Sequence, residues 1–206
     1  MKQLIIYLAV IYLSILSSFA QMKKMENAAN FVKQIEQNVS SVKSFESDFR
    51  QTKHIEAFNQ DITSSGKFYY RANGKITLNY LTPLPYLIEI SGDTIKLESD
   101  GKKNVMPLKN NKMLKEMNSI ILACITGKFS NISNDYRMEF YENEQSYLIT
   151  VIPVNENIKK YITQFDIYFN KKEISVDKLR ISETKGDYTE YYFSNKKFNP
   201  SHSIKS

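Results

Sequence analysis

The sequence predicts a mainly β protein with helices (α+β), built on a long antiparallel sheet that curves and carries two helices on its concave face. Three observations predict it. Apolar residues recur at every second position in about ten short runs, the spacing of strands that bury one face. Turn-forming pairs such as "NG" at 73–74 and "DG" at 100–101 punctuate those runs. Two segments, one at the front and one midway, switch to steps of three and four. The 206 residues also include 14 Tyr and 12 Phe but no Trp, a composition that suits strands.

The first residues give an address. Lys2 supplies a basic start, "LIIYLAVIYLSIL" an apolar core, and "SFA" small residues at 18 and 20. That pattern predicts an export leader over residues 1–20, cut near Ala20. A retained anchor is the competing reading, but the apolar run is shorter than the roughly 20 residues a membrane span requires. The mature chain is expected to be exported. No Cys follows the cut site closely, so the mature chain is not expected to be lipid-anchored itself. The remaining 21–206 show no repeat and no Pro/Gly/Ser linker, and are expected to form a single domain. Cys124 is alone and cannot form an internal disulfide, so the fold must stand on its core. The formal charge of +6 falls to +5 without Lys2, and the lysines are spread along the chain. That distribution describes a solvated surface and excludes nucleic acid as the expected partner.

The elements follow in order. Met25, Ala28, Val32, Ile35, Val39 and Val42 form a helical stripe over 25–42. In "SFESDFRQT" the period changes to two, with Phe45, Ser47, Phe49 and Gln51 on one face. Alternating runs at 62–71, 75–81, 86–91 and 94–99 read as strands. Pro83 and Pro85 lack ladder donors, so 82–85 is expected to bend. Met113, Met117, Ile120 and Cys124, widened by Leu114 and Ile121, form the second helical stripe. Asn110 or Asn111 is its expected N-cap and Gly127 its stop. Alternation resumes at 136–142, 146–153, 161–170, 174–183 and 187–194. Adjacent hairpins make an antiparallel sheet the economical topology. A sheet so long curls, and the helices are the elements available to cover its apolar hollow. Two outcomes stay open at this point: a solid core, or a cavity under a helical lid.

Catalytic chemistry is scarce. His54 and His202 stand far apart and offer no zinc-ligand spacing; His54 reads as a surface or edge residue. No G-x-S-x-G occurs, and Cys124 lies on the apolar helical stripe, where cysteine behaves as a small hydrophobe. Glu46 and Asp48 alternate on a wet strand face, which describes solvated acids better than a glycosidase pair. The expectation is a protein without catalytic residues, metal or cofactor. Met113 and Met117 are either core filler or, if their helix is a lid, adaptable lining for an acyl chain.

The longer stretches carry a resemblance. The N-terminal helix leads into "VKSFESDFRQTKH" and then "SSGKFYYRANGKITLNYLTPLPYLIEISGDTIKLESDGKK"; later come "YLITVIPVNENIKKYITQFDIYFNKKE" and "LRISETKGDYTEYYFSNKKFN". In order and spacing this resembles the periplasmic outer-membrane lipoprotein carriers of the LolA family, over nearly all of residues 25–199. The resemblance implies an incomplete β-barrel covered by a helical lid. It also implies a non-enzymatic, monomeric shuttle for acylated lipoproteins. The donor would be an inner-membrane lipoprotein-releasing ABC transporter, and the receiver an outer-membrane acceptor protein or the outer membrane itself. A carrier of another lipid or hydrophobic metabolite is the alternative on the same fold. An enzyme acting on an apolar substrate and a fully packed β module are the remaining readings. Phe45, Phe49, Ile76, Leu78, Tyr80, Ile88 and Ile90 on strands, with Met113, Met117, Ile120 and Ile121 on the second helix, are the candidate acyl-chain lining. Arg71 in "YYRANG" matches in order an arginine that holds the family's lid by hydrogen bonds, although Ala72 stands where the family has proline.

Overall fold

The computed structural model describes residues 21–39, 41–129, 132 and 134–200. The expected leader, residues 1–20, lies outside the described residues, as does His202.

Among the described residues, twelve strands form one antiparallel sheet in the order β1-β8-β9-β10-β11-β12-β2-β3-β4-β5-β6-β7. They are β1 (Lys23–Lys24), β2 (Ser44–Ile55), β3 (Gln60–Arg71), β4 (Lys75–Thr82), β5 (Tyr86–Ser91), β6 (Thr94–Ser99), β7 (Lys102–Pro107), β8 (Tyr136–Glu142), β9 (Ser146–Pro153), β10 (Ile162–Asn170), β11 (Ser175–Glu183) and β12 (Tyr188–Phe198). The order runs from β1 to β7 without returning, so the barrel is not closed. The helices are α1 (Ala29–Val39), α2 (Lys112–Thr126) and a single-turn helix, α3 (Glu156–Lys159), between β9 and β10.

The alternation in the sequence decides which face turns inward. Phe45 and Phe49 of β2, Phe68 and Tyr70 of β3, Ile76, Leu78 and Tyr80 of β4, and Ile88 and Ile90 of β5 are all buried. The second half contributes Ile149 and Val151 of β9, Phe165, Ile167 and Phe169 of β10, and Leu179 and Ile181 of β11. These side chains form one continuous core with the helices. The opposite face is laced by cross-strand ion pairs, such as Lys75 with Glu89 at 2.7 Å and Lys178 with Glu190 at 2.7 Å. Such partly exposed pairs add little stability individually; their value here is to keep the outer face wet.

Curvature has a local cause at Gly66. A Cβ placed there would lie 2.1 Å from the Asn79 carbonyl oxygen and 2.9 Å from the Phe49 ring. The register between β3 and β4 also shifts between Ser65 and Gly66. Only glycine lets the two strands approach this closely, and an irregularity of this kind bends a strand. The expected bend at 82–85 separates β4 from β5, with a cis Thr82–Pro83 peptide.

One expectation needs correction, and two strands were not expected. The first helix begins at Ala29 rather than near Met25. The Asn27 side chain accepts the Ala29 N–H at 2.9 Å, and the Met25 N–H is already committed to the Phe140 carbonyl at 2.9 Å. Its buried face is Phe31 and Ile35, with Phe31 stacked on Tyr147 at a centroid distance of 4.1 Å. Residues 102–107, unassigned from the sequence, are the edge strand β7. The short pairing of Lys23 and Lys24 with β8 was also not foreseen.

Candidate functional site

Where α1 and α2 lie over the sheet, the core does not close completely. A cleft of about 50 Å³ remains between lid and strands. Val39 and Val42, at and just beyond the end of α1, form one wall with Ile120, Ile121, Cys124 and Ile125 of α2. The floor is Phe45 of β2, Phe68 of β3, Ile167 and Phe169 of β10, Leu179 of β11 and Phe193 of β12. Ser175 is the one polar residue among its walls. At roughly 10–15 Å³ for each water centre, the cleft holds only a few water-sized molecules as it stands.

The lid is seated by a glycine. Gly127 ends α2 with φ +69°. A Cβ there would lie 2.8 Å from the Glu36 Cα and 2.9 Å from the Val39 side chain. The end of α1 thus rests directly on the end of α2. Asn111, one of the two expected caps, closes the other end of α2 by accepting the Leu114 N–H at 3.0 Å.

Beside Ser175 stands a compact polar cluster. Lys196, its side chain only 8% exposed, donates to the Ser175 hydroxyl at 2.8 Å and to the Glu173 carboxylate at 2.9 Å, and also pairs with Asp177. Hydrogen bonds from Lys196, then from Ser175, hold the Glu173 carboxyl below its usual range. Burial pushes the Cys124 thiol well above its ordinary value, so it stays protonated and acts as an apolar wall. Among the described residues no group of three His, Cys, Asp or Glu is placed to hold a metal ion. No described helix is long and apolar enough to cross a membrane.

The sequence-derived lining divides into three groups. Phe45, Ile120 and Ile121 line the cleft. Phe49, Ile76, Leu78, Tyr80, Ile88, Ile90 and Met117 are buried in the core that continues beyond it. Met113, on the first turn of α2, is half-buried and outside the cleft walls. Arg71 ends β3 exposed, in register with Ser44, beside the segment that links α1 to β2. The sequence reading passed over Phe68, Ile167, Phe169, Leu179 and Phe193. Each carries the same alternating signal as the residues chosen; what was missing was the knowledge of which inward residues meet the lid.

A curved, open antiparallel sheet roofed by helices over an apolar cleft defines a lidded half-barrel. The chain belongs to the LolA family: the family model described as outer membrane lipoprotein carrier protein LolA matches residues 40–205. No curated protein sequence matches the chain. Solved structures overlay it in part. A LolA superfamily protein from Nitrosomonas europaea is 7% identical with a TM-score of 0.42, covering 82% of this chain and 94% of its own. The Mycobacterium tuberculosis lipoprotein LppX is 9% identical with a TM-score of 0.46, over 86% and 99%. In the Pseudomonas aeruginosa MucA/MucB complex the matched chain is 10% identical with a TM-score of 0.48, over 85% of this chain and 58% of that one. The family assignment rests on the sequence match, not on these distant overlays.

Proposed function

We propose that this protein is a periplasmic carrier that shields the acyl chains of lipoproteins beneath its lid and shuttles them from the inner to the outer membrane. Cargo is received from an inner-membrane lipoprotein-releasing ABC transporter and passed to an outer-membrane acceptor protein or to the membrane itself. The carrying observation is the apolar cleft lying between two helices and the sheet, rather than inside the sheet. A lid held by side-chain packing can move where a hydrogen-bonded ladder cannot. Each acyl CH₂ sheltered from water is worth about 0.8 kcal/mol, so a chain of ordinary length repays displacement of the helices. At about 50 Å³ the cleft is the shut state; loading requires α1 and α2 to lift, and their return expels the cargo.

Arg71, adjoining the linker that follows α1, is the side chain we assign to steadying the shut lid. Its guanidinium offers five donors that stay charged. Arg71→Leu is expected to alter release more than uptake in a transfer assay; normal handover would remove it from the mechanism.

The direct test is recovery of cargo. The full chain, expressed in a host with a lipoprotein-exporting envelope, is purified and analysed by mass spectrometry. Acylated polypeptides are expected with the wild type and are expected to be lost from Ile121→Asp and from the milder Ile125→Ser, with far-UV circular dichroism unchanged. Wild-type protein that emerges without acylated material overturns the reading.

A further inference from the structure

A second cavity, much larger than the apolar cleft, opens on the other side of α2. It has a volume of about 420 Å³, within the roughly 300–1,000 Å³ typical of small-ligand sites. Its floor is apolar, made of Ile120, Ile132, Ile158 and Ile162. Its rim is cationic: Lys109 from the turn before α2, then Lys112 and Lys115 one helical turn apart. Tyr161 faces them, its hydroxyl accepting from the Lys112 ammonium at 3.0 Å while that ammonium also sits 4.8 Å over the ring.

The lining is net positive, three lysines against the carboxylates of Glu116 and Asp135. Both carboxylates keep their charge and accept neutral hydrogen bonds, Glu116 from the Tyr136 hydroxyl and Asp135 from the Asn155 amide at 2.8 Å. Among the described residues, Lys109 and Lys112 form no ion pair, while Lys115 pairs with Glu116 at 3.8 Å. The hydrogen bond from Lys112 holds the Tyr161 phenol below its usual range. Ile120, fully buried, belongs to the walls of both the basin and the apolar cleft.

We propose that this basin is an anion-selective subsite, in which Lys109, Lys112 and Lys115 take the carboxylate or phosphate headgroup of an amphiphile whose apolar end lies on the isoleucine floor. An ammonium on a flexible stem suits a headgroup of variable geometry. A floor of aliphatic side chains beneath a charged rim selects a molecule carrying both kinds of surface, which a free anion lacks. Because Ile120 belongs to the walls of both the basin and the cleft, a chain anchored by its head in the basin continues toward the cleft when that side chain and its helix move. The assignment rests on the carrier reading and adds to it the class of headgroup.

Titration calorimetry of the full mature chain at low ionic strength tests it, with three probes below their aggregation limits: a lysophosphatidylglycerol, a monoacylglycerol of the same chain length, and inorganic phosphate. The anionic amphiphile is expected to bind roughly tenfold more tightly than the neutral one, the size expected for two or three partly exposed charge contacts. Lys112→Gln/Lys115→Gln is expected to abolish that preference while leaving monoacylglycerol binding unchanged, and added salt to weaken it in the wild type. Equal affinity for the two amphiphiles overturns the subsite and leaves the carrier reading intact. A preference that survives in the variant places the headgroup elsewhere and also overturns it. Phosphate binding as tightly as the lysophospholipid reduces the basin to a free-anion site. Failure of both amphiphiles to bind overturns the subsite, whereas the carrier reading falls only if no acylated polypeptide is recovered with the wild type.

Discussion

Gly127 meets two demands at once: a left-handed backbone and an approach of 2.8 Å between its own absent Cβ and the Glu36 Cα. Any side chain there is strained in conformation and pushes α1 off α2. Gly127→Ala is expected to destabilise the fold by about 1–3 kcal/mol, read as a lower urea midpoint. His54 offers a pH-dependent counterpart. Its Nδ1 lies 2.7 Å from Asp61 and its Nε2 3.1 Å from Glu56, and its ring stacks on Tyr188 at 4.8 Å. The hydrogen bond to Asp61 leads in raising the imidazole above its ordinary 6.5. The folded state therefore binds this proton more tightly than the unfolded one. Its stabilisation is complete below the ordinary value and disappears as pH climbs through the raised one. His54→Gln is expected to melt below wild type at about pH 5.5, with the gap closing by about pH 9. The sequence reading put His54 at a surface or edge. Its paired acids were not legible, because Asp61 reaches it only once β2 and β3 align His54 opposite Asp61.

The elements differ in how they are held, and so in how easily they move. Strand β2 is hydrogen-bonded along both sides, to β12 and β3. α1 and α2 meet the sheet through side chains. Amides of α2 are expected to exchange with deuterium faster than those of central β2; equal protection would argue against a lid that lifts. Element boundaries were legible where turn chemistry and alternation agreed. The runs 86–91, 94–99, 136–142 and 146–153 coincide with strands end to end. β7 was not legible because almost every residue of "KKNVMP" is exposed, leaving no periodic burial for the sequence to record. α1 was found but turned by one residue, since Phe31 and Val32 both extend an apolar stripe and only packing on Tyr147 chooses between them. The cleft was half legible for a related reason. Period two shows which side chains face inward, but curvature decides which of those touch one another and which leave a gap.

At the scale of the molecule, the two halves of the sheet are joined along a single seam. β12 pairs with β2 from Tyr188 opposite His54 to Phe198 opposite Phe45, with an irregularity between Ser194 and Lys197. Partners so distant in sequence must be brought together before the hollow exists at all. A chain ending at Asp187 lacks β12, exposes the inner edges of β2 and β11, and loses buried Tyr191. It is expected to show no cooperative thermal transition, where a chain of residues 21–206 is expected to melt in one; a sharp melt from the shortened chain would show that the halves fold independently. An unclosed sheet also has margins. One is the two-residue β1; the other is β7, where Lys102 and Lys103 stand at the start and Pro107 at the finish. Like charges repel a second identical strand, and proline has no amide to offer it. The open architecture that leaves room for a helical roof thus carries its own guard against stacking copy upon copy into fibres.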